Sequence, residues 1–443
     1  MKIPVDVSVV HEGERIRKED MYVELGGPKV SSKGELVRVR KPGEIRDGNV
    51  EVEGPDFDKL KEGGRYPFAI FVEVAGKNVE EDLEAVIERR IHDYCNYVEG
   101  FMHLNQRYDI WCRLSKKSYE RGFNTLKYLG QALITLFKAE LPIIEKIQVT
   151  FITDEKKVEA FVNDARKIYE ARDARARALS EEEVDTFYGC VLCQSFAPTH
   201  FCVITPDRIS LCGSINWFDG RAAARVDPKG PNFAIPKGEL IDEVNGEYSG
   251  VNKVVKERSQ GETERFYLHS IFNFPHTSCG CFESIAFYIP EVDGVGVVHR
   301  DYIGETVLGV PFSTLATQTG GGKQVEGFLG MAIEYMRSPK FLQADGGWNR
   351  MVWLPKSVKE RVIDDIPAEL RDKIATEEDA TDIAALKGFL KERGHPVVER
   401  WREVEAVEVP ELEVMPVGAP GGIKIILQNA KIHAEKVIIK KIK

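Results

Sequence analysis

The stretch Cys190-Val191-Leu192-Cys193-Gln194-Ser195-Phe196-Ala197-Pro198-Thr199-His200-Phe201-Cys202, continued to Cys212, carries four of the eight cysteines of this 443-residue chain. Its spacing is C-x2-C-x8-C-x9-C. A C-x2-C pair sets two sulfurs on one tight turn, and two further thiolates can close a four-sulfur site. Such a site suits tetrahedral zinc or a cubane iron–sulfur cluster, and this stretch alone leaves both open. The residues that follow are rich in Gly, Pro and aromatics, so much of the surrounding domain is expected to be loop.

Downstream lies Cys279-Gly280-Cys281. Thiols one residue apart do not readily fill two corners of a tetrahedron. They can offer two sulfurs and the backbone nitrogens of Gly280 and Cys281 in one plane. Square-planar coordination of that kind favours Ni(II) or Cu(II). Gly280 suits the role because it has no Cβ to obstruct the backbone as it folds round a metal. A lone C-G-C is also compatible with a chance pair or a redox dithiol; the upstream four thiols argue against that.

Composition sets the bounds. The chain is 43% hydrophobic and 30% charged, with net charge -10. This is an ordinary globular balance, sufficient for large cores. The acidic balance argues against a general nucleic-acid binder. No apolar signal region opens the chain and no run has the length of a membrane span, so a cytosolic protein with reduced thiols is expected. In that setting clustered cysteines read as metal ligands rather than a disulfide framework. Cys95 and Cys112 stand apart, among helix-like residues, and read as buried structural thiols.

The fold class expected is α/β to α+β, with two mixed domains and the metal cluster in the loop-rich second one. Strands are expected at Asp6–Val10, Met21–Leu25, Phe68–Val74 and Lys146–Ile152. Helices are expected at Val79–Asn96 and Lys117–Leu141. Glu155–Glu183 reads as a solvated helix linking the two domains. Further strands are expected at Phe201–Ile204, Ser284–Ile289 and Gly294–His299, and an amphipathic helix within Glu369–Arg393 that stops at Gly394. Gly320-Gly321-Gly322-Lys323 lacks phosphate-loop spacing and reads as a tight turn or a close backbone approach. The domains are drawn at 1–157, 158–405 and 406–443, the last a linker and a lysine-rich tail.

The chain resembles the acetyl-CoA synthase family, and within it the archaeal beta-subunit branch. The resemblance rests on Tyr188-Gly189-Cys190-Val191-Leu192-Cys193-Gln194-Ser195-Phe196-Ala197-Pro198, on Cys202 and Cys212, and on Cys279-Gly280-Cys281. Glu12-Gly13-Glu14-Arg15 through Gly26-Gly27-Pro28, and Thr319 through Gln324, also match. It covers nearly the whole chain, with 1–157 similar to the family's middle domain. The bacterial N-terminal docking region of ~300 residues has no counterpart here, so its CO tunnel is not carried over.

The resemblance implies a reversible synthesis of acetyl-CoA from CO, a corrinoid-bound methyl group and CoA, hence an acyltransferase. It implies a [4Fe-4S] cubane bridged to two nickel ions. Cys190, Cys193, Cys202 and Cys212 are expected to hold the cubane. Cys193, Cys279 and Cys281 are expected to hold the open proximal nickel, and Cys279, Gly280 and Cys281 the distal one. Phe196 is expected to gate the open nickel. The implied partners are a corrinoid iron–sulfur protein, CO dehydrogenase subunits and an electron carrier such as ferredoxin. From the residues themselves, Arg107, Trp111 and Arg113, with Lys116, Lys117 and Arg121, combine cations and an aromatic face and are candidate CoA contacts. His200 and His276 are candidates for hydrogen bonds to sulfur, or simple surface histidines. A [4Fe-4S] electron-transfer or redox-sensing protein without nickel, and a structural zinc protein, are the alternatives.

Overall fold

A computed structural model describes residues 2–8, 16–195 and 197–401. Phe196, the lysine-rich tail and Glu12–Arg15 lie outside the described residues. The protein is mixed α/β.

The N-terminal half begins with β1 (Met21–Gly26), β2 (Lys33–Val39), β3 (Val50–Glu53), β4 (Arg65–Tyr66), β5 (Phe68–Ala75) and α1 (Glu84–Asn96). It continues through β6 (Phe101–Gln106), β7 (Asp109–Ser115), α2 (Lys116–Glu120), α3 (Leu126–Glu140) and β8 (Lys146–Ile152). Two mixed four-stranded sheets result, ordered β2-β5-β8-β3 and β4-β1-β7-β6. Helix α1 lies against β2 of one sheet and β6 of the other. Ile87, Ile91 and Tyr94 on its buried face join Val72, Val74 and Phe137 in one apolar core.

Four elements differ from the sequence expectation. Of the strand expected at Asp6–Val10, residues 6–8 form only an isolated bridge, Val7 to Val98, and residues 9–10 lie outside the described residues. The helix expected over Lys117–Leu141 is two helices with separate caps. Ser115 Oγ accepts from the Ser118 amide, and Thr125 Oγ1 from that of Lys127. Each cap satisfies an orphan amide and defines a start. Cys112 lies in strand β7, not among helical residues; it pairs opposite His103 in the β6–β7 hairpin. The charged stretch after Asp154 is not a solvated linker. It forms α4 (Glu155–Arg177), whose Val158, Val162, Ala165 and Tyr169 are buried and which packs on β2 and β5. These apolar positions recur every three or four residues, and burying that stripe on a sheet outweighs leaving it in water.

The C-terminal half contains β9 (Thr186–Cys190), β10 (Cys202–Ile204), α5 (Trp217–Val226), β11 (Asn232–Pro236), β12 (Leu240–Asp242), β13 (Glu247–Tyr248) and α6 (Ser249–Arg258). Then come β14 (Ser284–Ile289), β15 (Gly294–His299), α7 (Phe312–Thr319), β16 (Phe328–Met331), β17 (Met351–Trp353), α8 (Lys356–Arg361) and α9 (Ile383–Glu392). Strands β10-β9-β11 form one antiparallel sheet, and β16-β14-β15-β17 form another, mixed one. The loop from Arg258 to Ser284 runs between the elements of these sheets and carries the second cysteine pair. Among the described residues no helix is long and apolar enough to cross a membrane.

Candidate metal centre

All six clustered cysteines are buried and free. Cys190 ends β9 and stands directly opposite Cys202 at the start of β10. Cys193 sits in the 3-10 turn Leu192–Ser195, closed by the Gln194 amide donating to Val191 O at 3.0 Å and the Ala197 amide to Cys193 O at 3.0 Å. Cys212 lies in a turn where the Gly213 amide donates to Ser210 O at 2.8 Å and Ser210 Oγ is 3.4 Å from Cys212 Sγ. The Glu283 amide donates to Leu211 O at 3.1 Å, tying the Cys212 loop to the strand that follows Cys281.

The grouping is not the sequence order. Cys193 packs with Cys279, Cys281 and Ala197 in one buried cluster, whereas Cys190 and Cys202 belong to the large apolar core. Cys193 donates a hydrogen bond to the Cys279 and Cys281 sulfurs, which pushes its thiol up. Accepting from Cys193 and Cys279 holds Cys281 well below the usual thiol value, and the Arg89 charge adds to this. Burial pushes Cys190 up to about 11 and raises Cys202 as well. Among the described residues no set of three or more His, Cys, Asp or Glu side chains already closes into a metal-holding group. The thiols stand as hydrogen-bonded neighbours. The donor chemistry nonetheless fits a thiolate-held group: six reduced, buried sulfurs, three of them packed together.

Cys279-Gly280-Cys281 lies outside any helix or strand. Gly280 has φ +152°, which L side chains rarely adopt. The glycine run supports it: the Gly321 amide donates to Cys279 O at 2.9 Å and the Gly322 amide to Ser278 O at 2.8 Å. The close backbone approach expected of that run is what the structure shows. From the other side Arg300 Nη2 donates to Gly280 O at 2.5 Å and to Phe282 O at 3.1 Å.

The family described as the C-terminal part of the ACS/CODH beta subunit matches residues 169–401. The family described as CO dehydrogenase/acetyl-CoA synthase complex beta subunit matches residues 3–158. The acetyl-CoA decarbonylase/synthase complex subunit beta of Methanothermobacter thermautotrophicus is 58% identical, covering 99% of both chains. That of Methanopyrus kandleri is 59% identical, over 99% of this chain and 97% of its own. The chain belongs to this beta-subunit family. A solved C-terminal domain of an acetyl-coenzyme A synthase alpha subunit is 39% identical and covers 27% of this chain and 96% of its own. Its TM-score of 0.26 is too low to bear on the fold.

Within this family member the two site histidines are not on the surface. His200 and His276 are both 1% exposed. Burial pushes His200 down to about 3 and His276 lower than its ordinary value. His200 Nδ1 lies 3.1 Å from Thr277 Oγ1, and His276 Nε2 accepts from the Val203 amide at 3.0 Å. They brace the cysteine loops as neutral rings.

The residues singled out for CoA are separated by the fold. Arg107 is buried and ion-paired with Asp173. It lines a cavity of about 490 Å³ shared with Lys33, Arg166 and Arg361. Trp111 lines an adjoining cleft with Arg300 and Asp301. Arg113 stacks over Trp111 at 4.8 Å and is engaged by Glu24 at 2.6 Å. Lys116 pairs with Glu62 at 2.7 Å and Arg121 with Glu99 at 2.6 Å, away from Arg107 along the hairpin.

Two residues absent from the sequence reading touch the site. Arg89 on α1 is 2% exposed and donates to Asn105 Oδ1 at 2.8 Å. Burial opposes its charge, and the potential of Cys281, Cys193, Asp93 and Cys212 outweighs that. Gln106, next to Asn105, donates to Phe282 O at 2.8 Å, so the end of β6 lies against the second cysteine loop. Arg300 is the other. Nothing in local sequence marks either, because each acts across a large sequence separation.

Proposed function

We propose that this protein is an acetyl-CoA synthase/decarbonylase enzyme, an acyltransferase that reversibly assembles acetyl-CoA from CO, a corrinoid-delivered methyl group and CoA. The observation that carries this is the clustering of Cys193 with Cys279 and Cys281 rather than with Cys190. A four-thiol zinc knot or a plain cubane has no use for that arrangement. A composite centre with one shared sulfur does.

Cys190, Cys193, Cys202 and Cys212 would hold a [4Fe-4S] cubane. Cys193, Cys279 and Cys281 would hold a proximal nickel, and the two sulfurs and two nitrogens of Cys279-Gly280-Cys281 a distal one. When bound, this group supplies an open nickel position for joining the methyl group to CO and for transfer of the acyl group to the CoA thiol. The chain's own residues do the rest. The β9–β10 register sets Cys190 and Cys202 at a fixed separation. The Leu192–Ser195 turn sets Cys193 beside Cys279 and Cys281. Buried, neutral His200 and His276 add no acid at the sulfurs, and the surrounding aliphatic and aromatic core excludes water. Phe196 keeps its role as a gate in this reading.

CoA contacts are assigned to Arg107 and Trp111, which line the cavity and the adjoining cleft, with Arg113 orienting Trp111 by stacking. The division into 1–157, 158–405 and 406–443 belongs to the same reading. So do membership of a complex with CO dehydrogenase subunits, a corrinoid iron–sulfur methyl donor and a ferredoxin-type electron carrier, and a cytoplasmic setting that keeps six thiols reduced.

The test is a nickel, iron and zinc count on anaerobically purified protein, paired with carbonyl exchange into acetyl-CoA. The expected result is about four iron and about two nickel per chain, with exchange activity. Zinc alone, or iron without nickel after nickel reconstitution, defeats the proposal.

A further inference from the structure

We propose that Arg300 and the Gly321 amide form an amidate-stabilising pair that makes the backbone of Cys279-Gly280-Cys281 competent to bind a metal. This rests on the planar-chelate reading of that tripeptide and goes beyond it, to what holds the charge.

The chemistry sets the requirement. For the nitrogens of Gly280 and Cys281 to coordinate Ni(II), the metal replaces both amide protons. These leave to solvent, and no electron is transferred. Each deprotonated peptide is then an amidate, whose negative charge is shared between nitrogen and the carbonyl oxygen of the same peptide unit. For the Gly280 nitrogen that oxygen is Cys279 O. For the Cys281 nitrogen it is Gly280 O.

These two oxygens both receive donors in the structure. The Gly321 amide donates to Cys279 O at 2.9 Å. Arg300 Nη2 donates to Gly280 O at 2.5 Å, with a second contact to Phe282 O at 3.1 Å. One donor is a preorganised backbone N–H and the other a permanent cation. Both are aimed at atoms where negative charge accumulates, the logic of an oxyanion hole turned to metal binding. Arg300 is also placed by its surroundings. Its amide donates to Glu283 O at 3.2 Å, and its guanidinium lies over the Phe312 ring at 5.7 Å. The Gly321 donor is held by the Gly322 amide bonding Ser278 O at 2.8 Å and by Thr199 Oγ1 donating to Gly322 O at 2.8 Å. The arginine is a positioning residue: it acts on the metal through the peptide.

Arg300→Met removes charge and donors while keeping an apolar stem over Phe312; Arg300→Lys keeps the charge and one donor. Full-length protein is reconstituted anaerobically with iron, sulfide and nickel. Nickel release to an added chelator is then followed at fixed pH, with iron per chain as the internal control. Expected is release about 10- to 100-fold faster in Arg300→Met, an intermediate rate in Arg300→Lys, and iron unchanged in both. Wild-type retention in Arg300→Met, or parallel loss of iron and nickel, overturns the inference while leaving the nickel reading intact. Wild-type protein that takes up iron and no nickel overturns both.

Discussion

The two cysteine-bearing segments are held in opposite ways. Cys190 and Cys202 are fixed by a β-ladder: β9 pairs with β10 on one side and β11 on the other, over a core that includes Phe187, Phe201 and Phe233. Cys279-Gly280-Cys281 has no ladder. Individual hydrogen bonds hold it, from Gly321, Gly322 and Arg300. A ladder is cooperative and resists local opening, while a loop held by a few contacts opens at lower free energy. The first segment suits a cluster whose geometry must not change. The second can be adjusted one residue at a time.

The sharpest test of that contrast compares single thiols. Cys193→Ser removes the sulfur that the proposed centre shares between cubane and nickel, so iron and nickel should fall together and carbonyl exchange drop to background. Cys281→Ser removes a sulfur held only by the loop. Nickel should be lost while about four iron remain, as metal analysis would show. Equal losses in the two variants would mean that the segments form one indivisible site.

A smaller effect concerns the ladder side under acid. Glu181 is fully buried, accepting from Thr205 Oγ1 at 2.6 Å and Tyr248 Oη at 3.0 Å, with His269 Nε2 at 3.1 Å. Burial pushes its carboxyl up, but His269 and Thr205 outweigh this and hold it at about 2. The folded value lies below the free value of 4.5. Its stabilisation is therefore complete above about pH 4.5 and is lost as pH falls toward 2. The loss is about 3 kcal/mol. Denaturant unfolding of metal-free wild-type protein between pH 5 and pH 3 should show this slope, and Glu181→Gln should flatten it.

The smallest effect probes the loop's strap. Gly322 has φ +80°, and an added Cβ would come 2.8 Å from the His200 backbone nitrogen. Gly322→Ala should cost about 1–3 kcal/mol. It should also loosen nickel retention without changing iron. Unchanged nickel retention would show that the strap is not what holds the second segment.

Much of the architecture was legible in local pattern. Met21–Gly26, Phe68–Ala75, Lys146–Ile152, Ser284–Ile289 and Gly294–His299 are strands close to the bounds their β-branched, apolar runs suggest. The β6–β7 hairpin was missed for a physical reason. Strand β6 buries His103, Asn105 and Gln106 alongside apolar residues, so polarity no longer marks a face. In β7 Ile110, Cys112 and Leu114 alternate as a strand should, while Trp111 and Arg113 occupy the opposite face. In helix α4 the high charge content masks the three- and four-residue spacing of its few apolar residues.

By itself the sequence determined which thiols exist, their spacing and therefore the class of metal chemistry open to them. Ligand identity is a local property, and a C-G-C tripeptide carries its own chelating atoms. Only the tertiary structure decided how those thiols divide. It brought Cys193 to Cys279 and Cys281 across the loop, left Cys190 with Cys202 across a ladder, and placed Arg89 and Arg300 against the site from distant strands and helices. Those partners act through space on charge and on carbonyl oxygens, and no residue's neighbours in the chain report which charge will lie beside it once the core has closed.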